Sequence, residues 1–168
     1  MGSTRLPGKV MRILDGINPS ISFTIQQLKN CSNIDKIIVA TTTDPEDNQI
    51  ESFCKKIGIE VFRGSLDDVL LRYYDCAKSF SLDSIIRVTA DCPLIDPSIV
   101  EKGISIFKNN NYDYVTNTYQ RTYPDGNETE LFSFSSLEKV NSLAKLPSER
   151  EHVTTFFKNN QSMFKIFN

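Results

Sequence analysis

Two stretches of this sequence hold residue types that do chemistry. The chain opens on MGSTRLPGKV, in which Gly2, Ser3 and Thr4 offer backbone N–H groups and Arg5 and Lys9 add positive charge. Small residues, free N–H groups and two cations in one loop suit a chain of phosphates. A solvated basic terminus is the plain alternative, and the loop has neither the GxxxxGK[ST] nor the GxGxxG spacing. Further on, TADCPLIDP sets Asp91 at the end of an apolar run, ahead of a proline-containing turn. A carboxylate there must be paired, hydrogen-bonded or metal-bound, since burying it bare is costly. Mg²⁺ takes one or two protein carboxylates and fills its shell with phosphate oxygens and water, which suits one aspartate facing a cationic loop. A helix or turn cap accounts for Asp91 equally well.

The elements that must position these residues follow from periodicity. Runs rich in β-branched residues occur at 36–42 (KIIVATT), 59–62 (IEVF), 84–90 (SIIRVTA) and 112–117 (YDYVTN). Between them lie stretches with helical spacing: ISFTIQQLKN, PEDNQIESFCKKIG, LDDVLLRYYDCAKSF and PSIVEKGISIFKNN. Pro45 with acidic residues starts the second, and Lys55, Lys56 and Gly58 stop it; Asp96 and Pro97 start the fourth. Strands alternating with helices of this length predict βαβ units, a mostly parallel sheet and three α/β layers in one domain over 1–168. After residue 118 the rhythm breaks into a turn at Pro124-Asp125-Gly126, a strand near 129–134 and a helix from Ser135 or Ser136. We expect this excursion to cover one edge of the sheet.

In open α/β sheets ligands lie beyond the carboxyl ends of the strands. The residues that follow the expected strands are Thr41 to Asp44, then Arg63, Gly64 and Ser65, then Thr89 to Pro93, and finally Thr116 and Asn117. Each set has an ordinary structural reading as a turn or a cap. Four sets at one end of a sheet point to a ligand site.

Composition narrows the classes. The 168 residues carry a net charge of -2, which gives no general attraction to nucleic acid or to an anionic membrane. No run approaches the ~20 apolar residues that span a bilayer, and the N-terminus has no apolar signal segment. Cys31, Cys54, Cys76 and Cys92 lie far apart without CxxC spacing, so a zinc site and a disulfide framework are not expected. Reduced thiols in the cytoplasm fit.

The stretches GSTRLPGK, IDKIIVATT, VFRGSLDDVLLRYYD, RVTADCPLIDP, TYPDGNETELFSF and EREHVT stand in an order that resembles the bacterial cytidylyltransferases of spore-coat polysaccharide synthesis. These are relatives of the CMP-Kdo and CMP-acylneuraminate synthetases. The resemblance covers nearly the whole chain. It implies a Rossmann-like, GT-A-like nucleotidyltransferase fold and the reaction of CTP with a sugar, an acidic one for surface polysaccharide, to give CMP-sugar and pyrophosphate. By that resemblance Arg5 and Lys9 grip the triphosphate over the Gly2–Thr4 backbone. Ala40, Thr41, Thr42, Arg63, Gly64 and Ser65 surround base and ribose. Asp91 holds Mg²⁺, with Glu128 standing where the family has its usual aspartate. Asn117, Asp125, Glu130 and His152 face the sugar.

In that family the signature loop follows an apolar first strand, placed between the runs at 36–41 and 84–90, and the chain continues past the segment at 163–168. The resemblance therefore implies that both flanking segments are missing here. We expect a chain without that strand to fold poorly alone or to fill the slot with another segment or subunit. His152, the only histidine, is a general-base candidate by type and equally a sugar contact. Tyr112, Tyr114, Tyr119 and Tyr123 offer rings for a sugar or for packing, and the aromatic content of the excursion is compatible with a homodimer. A metal-dependent glycosyltransferase and a noncatalytic nucleotide-binding remnant stay open as alternatives. Release of pyrophosphate from a free nucleoside triphosphate separates the three.

Overall fold

The computed structural model describes residues 6–168. Its elements are α1 (Ser20–Lys29), β1 (Ile38–Thr42), α2 (Asn48–Lys56), β2 (Glu60–Gly64), α3 (Val69–Ser79), β3 (Ser84–Arg87) and α4 (Pro97–Asn110). Then follow β4 (Tyr114–Thr116), β5 (Glu130–Ser133), α5 (Phe134–Leu143), α6 (Pro147–Glu151), α7 (Thr155–Asn159) and β6 (Ile166–Phe167). Helix starts are where local chemistry places them. Asp68 accepts the Leu71 N–H at 2.8 Å to cap α3, and Asp96 accepts that of Ser98 at 2.8 Å to cap α4, with Pro97 in the first turn.

β1 and β2 pair in parallel, with Val39 opposite Val61. The other four strands run in the order β3-β5-β4-β6. There β4 and β6 are parallel, while β5 lies antiparallel to both β3 and β4. The α/β architecture and the parallel pairs match the expectation from sequence. The excursion departs from it: it returns its strand between β3 and β4 and does not cover an edge. The reason is burial, since Leu131 and Phe132 are apolar on both faces of β5 and a central position covers both.

The register sorts side chains into two cores with the sheet between them. Ile85, Phe132 and Tyr114 sit side by side on one face, against Leu70 and Ala77 of α3 and Leu137 and Val140 of α5. Ile86, Leu131 and Val115 take the other face, against Val100 and Ile104 of α4. A third core joins α1, α2 and the β1–β2 pair through Ile21, Ile25, Ile50 and Cys54. Two-residue alternation in the strands and the 3.6-residue stripe of the helices produce this layering.

Between the two sheets lies a cleft of about 660 Å³. Consecutive residues 36–40 of one sheet and 84–90 of the other line it, so strand edges, not a single face, border the space. Among the described residues β1 pairs only with β2, and β3 only with β5. β3 ends at Arg87, three residues short of the run read from the sequence, where its ladder with β5 stops at the Arg87–Glu130 pair.

Candidate active site

A second pocket, about 630 Å³ and mostly polar, opens where β3 ends and β5 begins. Asp91, Asp125, Glu128, Glu130 and His152 all line it. Residues from four separate segments meet there because β3, β5 and the turn into α7 converge on one end of the sheet. Asp91 sits in the turn after β3, where the Cys92 N–H bonds the Thr89 carbonyl at 3.2 Å. Lys9 forms an ion pair with its Oδ2. Burial alone would raise the Asp91 carboxyl, but the bonds from Lys9 and Thr89 outweigh it and hold the group below the usual carboxylate range. A cation and an ionised carboxylate 82 residues apart in sequence are thereby paired where Asp91 meets the pocket.

The Pro124-Asp125-Gly126 turn closes one side, with Gly126 at φ 91, a conformation that favours glycine. Glu128 Oε2 accepts the Gly126 N–H at 2.9 Å, and Asp125 pairs with Arg121 at 2.8 Å while well exposed. Asn117 is a clip for this turn. Its Nδ2 donates to the Asn127 carbonyl at 2.8 Å and its Oδ1 accepts the Thr129 N–H at 2.9 Å. It does not line the pocket. Glu130 reaches the pocket but is only 3% exposed, with Tyr114 donating to Oε1 and Arg87 to Oε2. Both of its oxygens are engaged by the fold.

The residues expected around base and ribose build a turn. The hydroxyls of Thr41 and Thr42 each donate to Asp47 Oδ2 at 2.6 Å, and the Thr42 N–H joins them at 3.0 Å. The Arg63 guanidinium donates to the carbonyls of Thr42 and Asp44 and to Asn48 and Glu51. These side chains tie β2 to the start of α2. A Cβ on Gly64 would come within 2.9 Å of both Arg72 and Phe62, so the position needs glycine for close approach. Ser65 Oγ accepts the Asp68 N–H at 3.0 Å at the start of α3, and Ala40 lines the cleft between the sheets. Gly2, Ser3, Thr4 and Arg5 lie outside the described residues.

None of the four tyrosines lines the pocket. Tyr114 stacks on Phe157 at 4.6 Å and Tyr119 packs edge-on to Tyr114. Tyr112 packs on Phe167, and Tyr123 accepts from Lys102 at 3.3 Å. With Tyr114 and Phe132 fully buried, the core takes up aromatic residues that had suggested a dimer surface. Sequence reasoning missed Arg87, Thr154 and Lys158, which the structure adds to the wall. Only the arginine beside TAD carried a signal, as a charge at the end of a buried apolar run.

Among the described residues no group of three or more His, Cys, Asp or Glu is arranged to hold a metal by itself. Asp91 and Glu128 share the pocket, a donor set of the kind Mg²⁺ completes with phosphate and water. No helix among the described residues is long and apolar enough to cross a membrane.

Fold and pocket together define an α/β protein of the Rossmann-like nucleotidyltransferase class, with a polar pocket beyond the strand ends. Comparison with known proteins makes the class particular. The family model described as cytidylyltransferase matches residues 1–167, and the chain belongs to that family. It is 31% identical over 171 residues to the spore coat polysaccharide biosynthesis protein SpsF of Bacillus subtilis, covering 99% of this chain and 70% of that one. A 3-deoxy-manno-octulosonate cytidylyltransferase of Trichlorobacter lovleyi is 34% identical over 111 residues, 65% of this chain and 42% of its own. The solved structure of a cytidylyltransferase from Leptospira borgpetersenii superposes with a TM-score of 0.93 at 39% identity, covering 99% of this chain and 71% of that one.

Proposed function

We propose that this protein transfers CMP from CTP to a hydroxyl of an acidic sugar and releases pyrophosphate. The observation that carries the reading is Asp91, paired with Lys9, on the wall of a polar pocket at the strand ends, in a chain of the cytidylyltransferase family. The sugar oxygen attacks the α-phosphorus, the bond to the β-phosphate breaks, and pyrophosphate leaves with its electron pair; the hydroxyl proton passes to solvent water. Such transfer asks the protein for positioning and charge neutralisation more than for covalent chemistry. Lys9, joined by Arg5, neutralises the triphosphate. Asp91, with Glu128, would hold Mg²⁺, which supplies further neutralisation of the phosphates when bound. His152 lines the same pocket. The name SpsF and the octulosonate relative support a sugar acid destined for surface or spore-coat polysaccharide. The four free, buried cysteines and the need for CTP favour the cytoplasm, and a homodimer is compatible with the reading.

Calorimetric titration with Mg·CTP against Mg·ATP and Mg·UTP, followed by a pyrophosphate-release assay with sugar acids, tests the proposal. Selective CTP binding and acceptor-dependent release are expected. A folded protein that releases no pyrophosphate with any sugar while transferring glycosyl groups from a nucleotide sugar would refute it.

A further inference from the structure

Arg87 ends β3 on the wall between the pocket and the cleft and lines both. Its setting is not that of an arginine whose role is packing. A guanidinium carries five N–H donors in a planar fork. Among the described residues that of Arg87 makes one side-chain bond, from Nη1 to Glu130, and its Nε is buried with no hydrogen-bond partner. Glu130 is also shared: its Oε1 accepts from Tyr114 and lies 3.8 Å from Lys158 Nζ. Two cations thus face one carboxylate that is 3% exposed, leaving this corner of the pocket one positive charge in excess. Elsewhere on the wall Asp91 is balanced by Lys9 and Asp125 by Arg121. Glu128 makes no ion pair among the described residues and sits in the turn after Gly126. The pocket is therefore polarised, with an acidic turn on one wall and a cationic corner on another.

We infer that Arg87, with Lys158, selects the acceptor by receiving an anionic oxygen group on it, a carboxylate or a phosphate, and that Glu130 is the positioning residue that fixes the fork. Planar, paired N–H donors match either group, and a partly buried surplus charge favours an anion over a neutral sugar. The assignment rests on the cytidylyl-transfer reading for the identity of the ligand as an acceptor. The cationic corner itself stands on the geometry.

The test reads the Arg87 Nε–H directly, since a buried, slowly exchanging proton gives a separate NMR signal, assigned as the one missing from R87K. The full chain, saturated with Mg·CTP, is titrated with 3-deoxy-manno-octulosonate, glucose 1-phosphate and neutral glucose. A saturable shift of that signal with an anionic sugar and none with glucose is expected, and the arm that responds identifies carboxylate or phosphate. In parallel R87Q/E130Q, which replaces both buried charges by amides of similar shape, is assayed for pyrophosphate release. Its acceptor KM should rise tenfold or more, with CTP affinity within twofold of the parent. A silent Arg87 signal with both anionic sugars overturns the assignment, as does an unchanged acceptor KM, and cytidylyl transfer then still stands if pyrophosphate is released. A responding signal without release from any acceptor keeps the anion site and overturns the transfer reading.

Discussion

Replacing Asp47 gives the strongest test of how the β1–α2 turn is built. The residue is 1% exposed, and its Oδ2 accepts three bonds: the Thr41 and Thr42 hydroxyls at 2.6 Å and the Thr42 N–H at 3.0 Å. Asp47→Ala removes the acceptor and leaves three donors in a buried turn. The hydroxyls can rotate toward other partners, whereas the backbone N–H is fixed. At about 1–3 kcal/mol per stranded donor, with the hydroxyls at the low end, the loss is about 3–5 kcal/mol. Against a total stability of about 5–15 kcal/mol this moves a urea midpoint far down. Asp47→Asn keeps an oxygen in place but gives up the charge assistance, for a loss of about 1–2 kcal/mol. Burial pushes the Asp47 carboxyl up, yet its hydrogen bonds win and hold it well below the usual range. With the folded value depressed, the stabilisation is complete above the unfolded value of about 3.9 and is lost as pH falls through the folded one. The gap between parent and Asp47→Asn should therefore close in acid. Urea melts with unchanged m-values provide the measurement. A loss below about 1 kcal/mol for Asp47→Ala, or a gap that widens in acid, would refute the reasoning.

Three further outcomes are expected. Asp91→Asn keeps the fold, because the side chain is 36% exposed and its pair with Lys9 is partly screened, but abolishes Mg²⁺-dependent pyrophosphate release; full turnover by this variant would remove Asp91 from the site. Arg150→Ala should cost about 2–3 kcal/mol in urea melts, because its guanidinium bonds Asp68 at 2.7 and 2.9 Å and the Asn141 carbonyl and side chain at 2.9 Å, joining α3, α5 and α6; a change within 0.5 kcal/mol, the range of about ±0.5 usual for surface positions, would show the clamp is idle. The cleft between β1 and β3, with strand edges along both sides, predicts that the 168-residue chain binds an apolar dye and melts with low cooperativity. A sharp, high-temperature transition of the monomer without dye binding would show the cleft closed in solution.

The sequence by itself determined what depends on neighbours along the chain. The β-branched runs became β1 to β4, and Asp96 became the cap of α4, since an N-cap reaches only two or three residues ahead. Asp91 was legible as a carboxylate at the end of an apolar run and His152 as the only histidine, and the structure brings both to one pocket. Tertiary structure alone decided the rest. That β5 enters between β3 and β4 follows from covering two apolar faces at once, which no single strand's pattern specifies. That Thr41, Thr42 and Arg63 build a turn follows from which partners the fold brings within hydrogen-bond reach. Arg87 meets Glu130 across 43 residues and Arg150 meets Asp68 across 82. A charge's role is set by the groups around it in space, and sequence periodicity reports only which face of its own element it occupies.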